Sequence, residues 1–189
     1  MKSKETLKKA WDYLNRDTLD SWLVSLVLVF IFIKFIFFPL LSLLMGSSLP
    51  LVVVESCSMY HSSSFDDWWF QNGIWYEENK ISKSDFLSYP LKNGLNKGDI
   101  ILTWGRTDYK KGDIIIFEAS TTYPLIHRII SDKEISTKGD HNLGQLPIEK
   151  DISNERIIGK AIARIPLLGW LKLIFFEPFK PENQRGLCR

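Results

Sequence analysis

Ser21–Met45, SWLVSLVLVFIFIKFIFFPLLSLLM, constrains this chain more than any other stretch, and Lys34 is its only charge. At 1.5 Å per residue a helix of this length exceeds the ~30 Å hydrocarbon core, so it is expected to span a bilayer with some tilt. The segment is longer than the apolar part of a cleavable signal peptide and carries no clear small-residue cleavage site, which makes it a retained anchor. Lys34 must snorkel or meet a partner helix, and Pro39 is expected to kink the span.

The flanks set an orientation. Lys2, Lys4, Lys8, Lys9 and Arg16 precede the span, and no Lys or Arg follows it before Lys80. The positive-inside rule then places residues 1–20 in the cytoplasm and Leu51 onward outside. Within residues 1–20, Leu7, Trp11, Leu14 and Thr18 recur at helical spacing, the pattern of a short amphipathic helix at the membrane surface. The 189 residues suffice for this anchor and one domain, 46–179, with a disordered tail over 180–189. A net charge of +2 points to no nucleic-acid partner. The two cysteines, Cys57 and Cys188, are too few for a disulfide framework, and a bridge between them is not expected.

Past the anchor the pattern turns to short β-branched runs. Leu51–Glu55 stops at the small polar residues Ser56-Cys57-Ser58, which leaves a hydroxyl at a strand end. Gly98-Asp99-Ile100-Ile101-Leu102 and Gly112-Asp113-Ile114-Ile115-Ile116-Phe117 each read as a tight turn feeding a strand. Leu125–Ile130, Ile135–Lys138 and Arg156–Ile165 are further strand candidates. No helical period of any length is read between Leu51 and Ile165, so the domain is expected to be mostly β. Its aromatic-rich insertion, 62–97, suits either a small satellite core or an interfacial belt. Pro166–Phe179 is apolar and aromatic but too short to span, and reads as a membrane-dipping or core-packing segment.

Taken singly, Ser58, His127 and Asp140 are ordinary turn or strand residues. Taken together, Ser56-Cys57-Ser58-Met59, the two Gly-Asp-Ile runs, Ile126-His127-Arg128-Ile129 and Thr137-Lys138-Gly139-Asp140-His141-Asn142 resemble, in this order behind one span, the motifs of type I signal peptidases. The resemblance covers roughly 51–170. His127 stands where the bacterial branch has lysine, so the chain is more similar to the archaeal and endoplasmic-reticulum branch.

The resemblance implies a signal-peptidase-like β domain and a serine endopeptidase that removes signal peptides from preproteins, cutting after small residues, at an archaeal cell membrane or the endoplasmic reticulum. Ser58 is then the nucleophile, His127 the general base, and Asp140 the first-choice orienting acid, with the Ser58 N–H and the Ser56 hydroxyl as oxyanion donors. The chemistry suits these residue types. A serine hydroxyl needs a base, a neutral imidazole accepts a proton near pH 7, and a carboxylate on the second ring nitrogen fixes the tautomer. No metal or other cofactor is implied, since the three histidines are scattered and HExxH and CxxC spacings are absent. Partners are the preproteins, the bilayer and the protein-translocation machinery.

Two departures matter. Tyr60 and His61 replace the proline-bearing continuation after Met59, which makes His61 a rival base. Leu146 stands where eukaryotic members carry an aspartate; Glu149 and Asp151 follow Pro147, a shifted loop can bring either in, and Asp151 is the second acid candidate. His141 is a minor candidate base. Two other classes compete with the protease: a non-catalytic membrane-anchored β domain of a secretion complex, and a self-cleaving regulatory serine protease of related fold.

Overall fold

A computed structural model describes residues 2–119 and 123–188; Met1 of the N-terminal segment and Arg189 of the tail lie outside them. The chain divides into two units, Met1–Leu44 and Met45–Arg189. The first holds α1 (Lys2–Leu14), then α2 (Leu19–Phe32), a π-helical turn (Ile33–Phe37) and α3 (Phe38–Met45). Leu19–Met45 thus forms one helix of 27 residues, long and apolar enough to cross a membrane. The π turn ends two residues before Pro39, whose missing N–H breaks the regular ladder. The Lys34 ammonium lies over the Phe30 and Phe35 rings, at 5.8 and 5.5 Å from their centroids.

The second unit is built on six strands: β1 (Leu51–Val53), β2 (Ile100–Trp104), β3 (Ile114–Phe117), β4 (Leu125–Ser131), β5 (Ser136–Lys138) and β6 (Ile157–Ile165). They form one antiparallel sheet in the order β1-β2-β6-β3-β4-β5. β3 is apolar throughout because it is covered on both faces. Ile114 and Ile116 pack with Val54, Met59, Leu95 and Ile101, whereas Ile115 and Phe117 pack with Ile129 and Ile152. The two Gly-Asp runs make the same turn. Asp99 accepts the Asn96 N–H and Asp113 the Lys110 N–H, while Gly98 and Gly112 take φ of 90° and 95°, where a side chain is strained.

The insertion departs from expectation. It contains α4 (Phe65–Glu78) and α5 (Lys83–Ser88), capped by Ser64 and Ser82. About 42% of the chain is helical and 17% strand, so the domain is a β sheet with a helical insertion rather than mostly β. Phe65, Trp68, Trp69 and Tyr76 do recur at helical spacing, and Ser64 and Ser82 are each followed three residues later by an aspartate. Aromatic side chains obscure the period because they are enriched in strands and are only middling helix formers. Buried Trp68, Trp69, Tyr76, Ile81 and Phe86 make a satellite core beside Ile130 of β4.

Two further expectations are overturned. Cys57 and Cys188, 131 positions apart in sequence, are joined by a disulfide. Sequence separation hid this contact, because only folding brings the tail back to the turn after β1. The tail is also ordered as far as Cys188, through short 3-10 turns at Glu177–Phe179 and Glu182–Gln184. Upstream of it, α6 (Trp170–Phe176) buries Leu173 but exposes Leu171, Ile174 and Phe175, beside exposed Leu167 and Leu168.

Candidate active site

Ser58 lies in the loop after β1, between two residues driven into the core. Val54 and Met59 are buried in the same cluster, so the intervening turn is pulled tight against the sheet. The Tyr60 N–H closes that turn on the Cys57 carbonyl at 3.0 Å, and the His141 N–H holds the Ser58 carbonyl at 2.8 Å. The Ser58 hydroxyl remains half-buried, 3.1 Å from the Ser56 hydroxyl.

His127 projects from β4, opposite Ile115 of β3. Its Nε2 is 2.9 Å from Ser58 Oγ, so the first two candidates meet across 69 positions of sequence. Gly139 makes this approach possible. A Cβ there would come within 2.9 Å of both His127 Nε2 and the Ser58 carbonyl oxygen.

The partner of the other ring nitrogen is Glu149. Its Oε1 lies 2.5 Å from His127 Nδ1, and both side chains are buried. The contact is close but not aligned as a hydrogen bond: neither atom has a partner with hydrogen-bonding angles. Glu149 closes a 3-10 turn, Pro147–Glu149, and its Oε2 accepts the Leu146 N–H at 2.6 Å. Pro147 pre-sets the backbone of that turn and the longer glutamate stem reaches the imidazole.

The two acids favoured from sequence lie elsewhere. Asp140 is fully buried but accepts from Arg128 Nε and Nη2 at 3.0 and 2.8 Å, from Tyr76 Oη at 3.1 Å and from His61 Nε2 at 3.0 Å. Among the described residues, His127 is not one of its partners. Burial raises the Asp140 carboxyl, but Arg128 and His61 outweigh it and hold the group well below the usual carboxylate range. Asp151 is exposed, with φ of 49°, a backbone turn that sends Ile152 inward instead. Spacing alone could not separate these carboxylates, because Pro147, Asp151 and the 3-10 turn decide which one faces the ring.

The rival bases are likewise placed away from Ser58. His61 is stacked on Trp68 at 3.7 Å with its Nε2 on Asp140, and burial lowers its basicity, with Asp140 acting in the opposite sense. His141 is exposed, 6.0 Å from the Tyr60 ring. Among the described residues no group of three or more His, Cys, Asp or Glu is placed to hold a metal ion.

A residue that sequence reasoning passed over is Lys138. Its ammonium is buried beneath Trp75 and Tyr76, 5.0 and 4.8 Å from their centroids, and donates to the Gly139 carbonyl at 3.0 Å. Burial lowers its pKa to about 8, with Asp140 and Glu149 pulling it partly back. A lowered lysine pKa means that the charged form burdens the fold below pH 8, and that this burden disappears above the ordinary lysine value. Relative to Lys138→Met, the native chain therefore gains up to about 3 kcal/mol of stability as pH rises from 8 past 10. Urea unfolding at pH 7 and pH 10.5 checks this, and an unchanging difference between the two proteins contradicts it.

No protein-family model matches this chain, and no curated protein matches it.

Proposed function

We propose that this protein is a membrane-anchored serine endopeptidase that removes N-terminal signal peptides from secreted preproteins. One observation carries the reading: a half-buried serine hydroxyl, an imidazole 2.9 Å from it, and a buried carboxylate 2.5 Å from the second ring nitrogen. Ser58 Oγ attacks the scissile carbonyl while His127 Nε2 takes its proton. Glu149 holds the tautomer and balances the imidazolium. The Ser58 N–H and Ser56 hydroxyl receive the oxyanion. His127 then protonates the leaving amine, and a water activated by the same imidazole releases the acyl-enzyme.

The rest of the chain fits such a substrate. Among the described residues the sheet ends at β1, which leaves its outer edge to take an extended peptide by strand addition. Ile114–Phe117 cannot take the peptide in the same way, because β3 is paired on both sides. The selection of small residues before the cut rests on the family resemblance. A disulfide beside the nucleophile suits an oxidising compartment, in keeping with a cytoplasmic N-terminus and an extracytoplasmic domain. The exposed apolar residues around α6 suit work at a lipid surface.

The test is cleavage. Full-length protein in detergent micelles is mixed with a preprotein bearing a signal peptide, and the new N-terminus is read by mass spectrometry. A single cut after a small residue, absent with Ser58→Ala, is the expected result. An intact preprotein after long incubation rejects the reading and favours a non-catalytic secretion module.

A further inference from the structure

The mechanism uses Ser56 and Ser58 but leaves the residue between them unexplained. Cys57 is bonded to Cys188, and this bond is one of several ties between the segment after α6 and the turn that bears the nucleophile. Buried Lys97 donates to Glu177 Oε2 and to the Gln184 carbonyl, both at 2.7 Å, and the Gly186 N–H returns to the same Glu177 oxygen at 2.8 Å. Lys180 and Lys172 both pair with Glu55, at 3.5 and 2.9 Å. The strap 177–188 is therefore pinned at Lys97 and clasps Glu55–Cys57, immediately before Ser58.

The clasp is one-sided. After Ser58 the turn is held by buried Met59, by the Leu95 N–H on the Met59 carbonyl at 2.8 Å, and by the His141 N–H on the Ser58 carbonyl. Before Ser58, Glu55–Cys57 and the strap together line a cleft of about 1150 Å³. This flank borders open space and is held by the covalent bond, by the partly exposed Glu55 ion pairs and by the Lys180 ammonium, which donates to the Glu55 carbonyl at 3.3 Å. Ion pairs of that kind hold weakly.

We propose that the Cys57–Cys188 bridge is a positioning element for catalysis, which keeps the Ser56 hydroxyl and the Ser58 N–H aimed at the oxyanion so that turnover depends on the oxidised strap. This inference rests on the endopeptidase reading. A dithiol opens the bridge by thiolate exchange. The S–S bond accepts two electrons, each cysteine gains a proton, and the dithiol leaves as its own disulfide. The freed strap no longer restrains Ser56, and loss of an oxyanion donor lowers kcat while leaving KM nearly unchanged.

The experiment compares the full-length native protein with Cys188→Ser, each before and after dithiothreitol, with thiol alkylation to establish that the bridge has opened. Reduction is expected to lower native kcat about ten- to hundredfold, the scale of an ångström-level misplacement. Cys188→Ser is expected to show that loss from the start and to ignore dithiothreitol. Full kcat in the reduced, alkylated protein overturns the proposal, as does a change confined to KM or an equal response in Cys188→Ser. Hydrogen exchange supplies a readout independent of cleavage. On reduction the amides of Tyr60 and His141 exchange faster while those of β3 stay protected; unchanged protection, or loss of protection throughout the sheet, also overturns it. If the oxidised protein cleaves nothing, the endopeptidase reading falls, and the exchange data alone decide whether the strap positions the turn.

Discussion

Replacing Ser58 with alanine is expected to lower preprotein cleavage by up to about 10⁶-fold, and His127→Ala to do the same, since the proposed nucleophile and base would act as one unit. Glu149→Gln is expected to cost about 10⁴-fold in kcat, the scale for a triad whose orienting carboxylate is lost while the geometry survives. Asp140→Asn, by contrast, is expected to leave kcat of the folded protein within a few-fold of native, since its carboxylate serves Arg128, Tyr76 and His61 and not the base. Single-turnover cleavage with purified variants separates the two acids. A large kcat loss in Asp140→Asn with native kcat in Glu149→Gln reverses the assignment.

The same aspartate is expected to dominate stability. Asp140→Asn removes the negative charge that balances the buried Arg128 guanidinium and leaves it only neutral acceptors, such as the carbonyls of Pro90, Leu91 and Gly112. Removing one member of a buried pair costs about 3–5 kcal/mol, because the remaining charge is stranded. The network also ties the helical insertion to the sheet, through Tyr76 Oη and through His61 stacked on Trp68, so its loss is expected to loosen α4. The sign with pH follows from the depressed carboxyl. Its contribution is fully present above the ordinary carboxylate range and is lost only as pH falls toward the much lower folded value. Acid unfolding followed by circular dichroism is therefore expected to show a shallower pH dependence in Asp140→Asn than in the native chain. Equal slopes contradict the account.

How far the fold was legible depends on which interactions are local. The long apolar helix, the Gly-Asp turns and β3 are short-range patterns: apolar length, a capping carboxylate three residues from its N–H, and a continuous β-branched run. Each is complete within a few residues, so each can be read from order alone. The insertion was legible in part, since its caps and aromatic period were present but the aromatics are as much at home in strands. Ser58 and His127 were singled out by motif order, and their 2.9 Å approach is a fact of the sheet.

By itself, the order of residues determined a membrane-length helix followed by a domain with several short strands, and named the serine and histidine worth testing. Tertiary structure alone decided which carboxylate faces the imidazole, that the favoured Asp140 belongs to a buried Arg128 network, and that Cys188 returns to Cys57. The reason is physical. Side chains that meet across 69 or 131 positions do so because a common core draws their strands and turns together, and burial, backbone φ and stem length settle the last few ångströms.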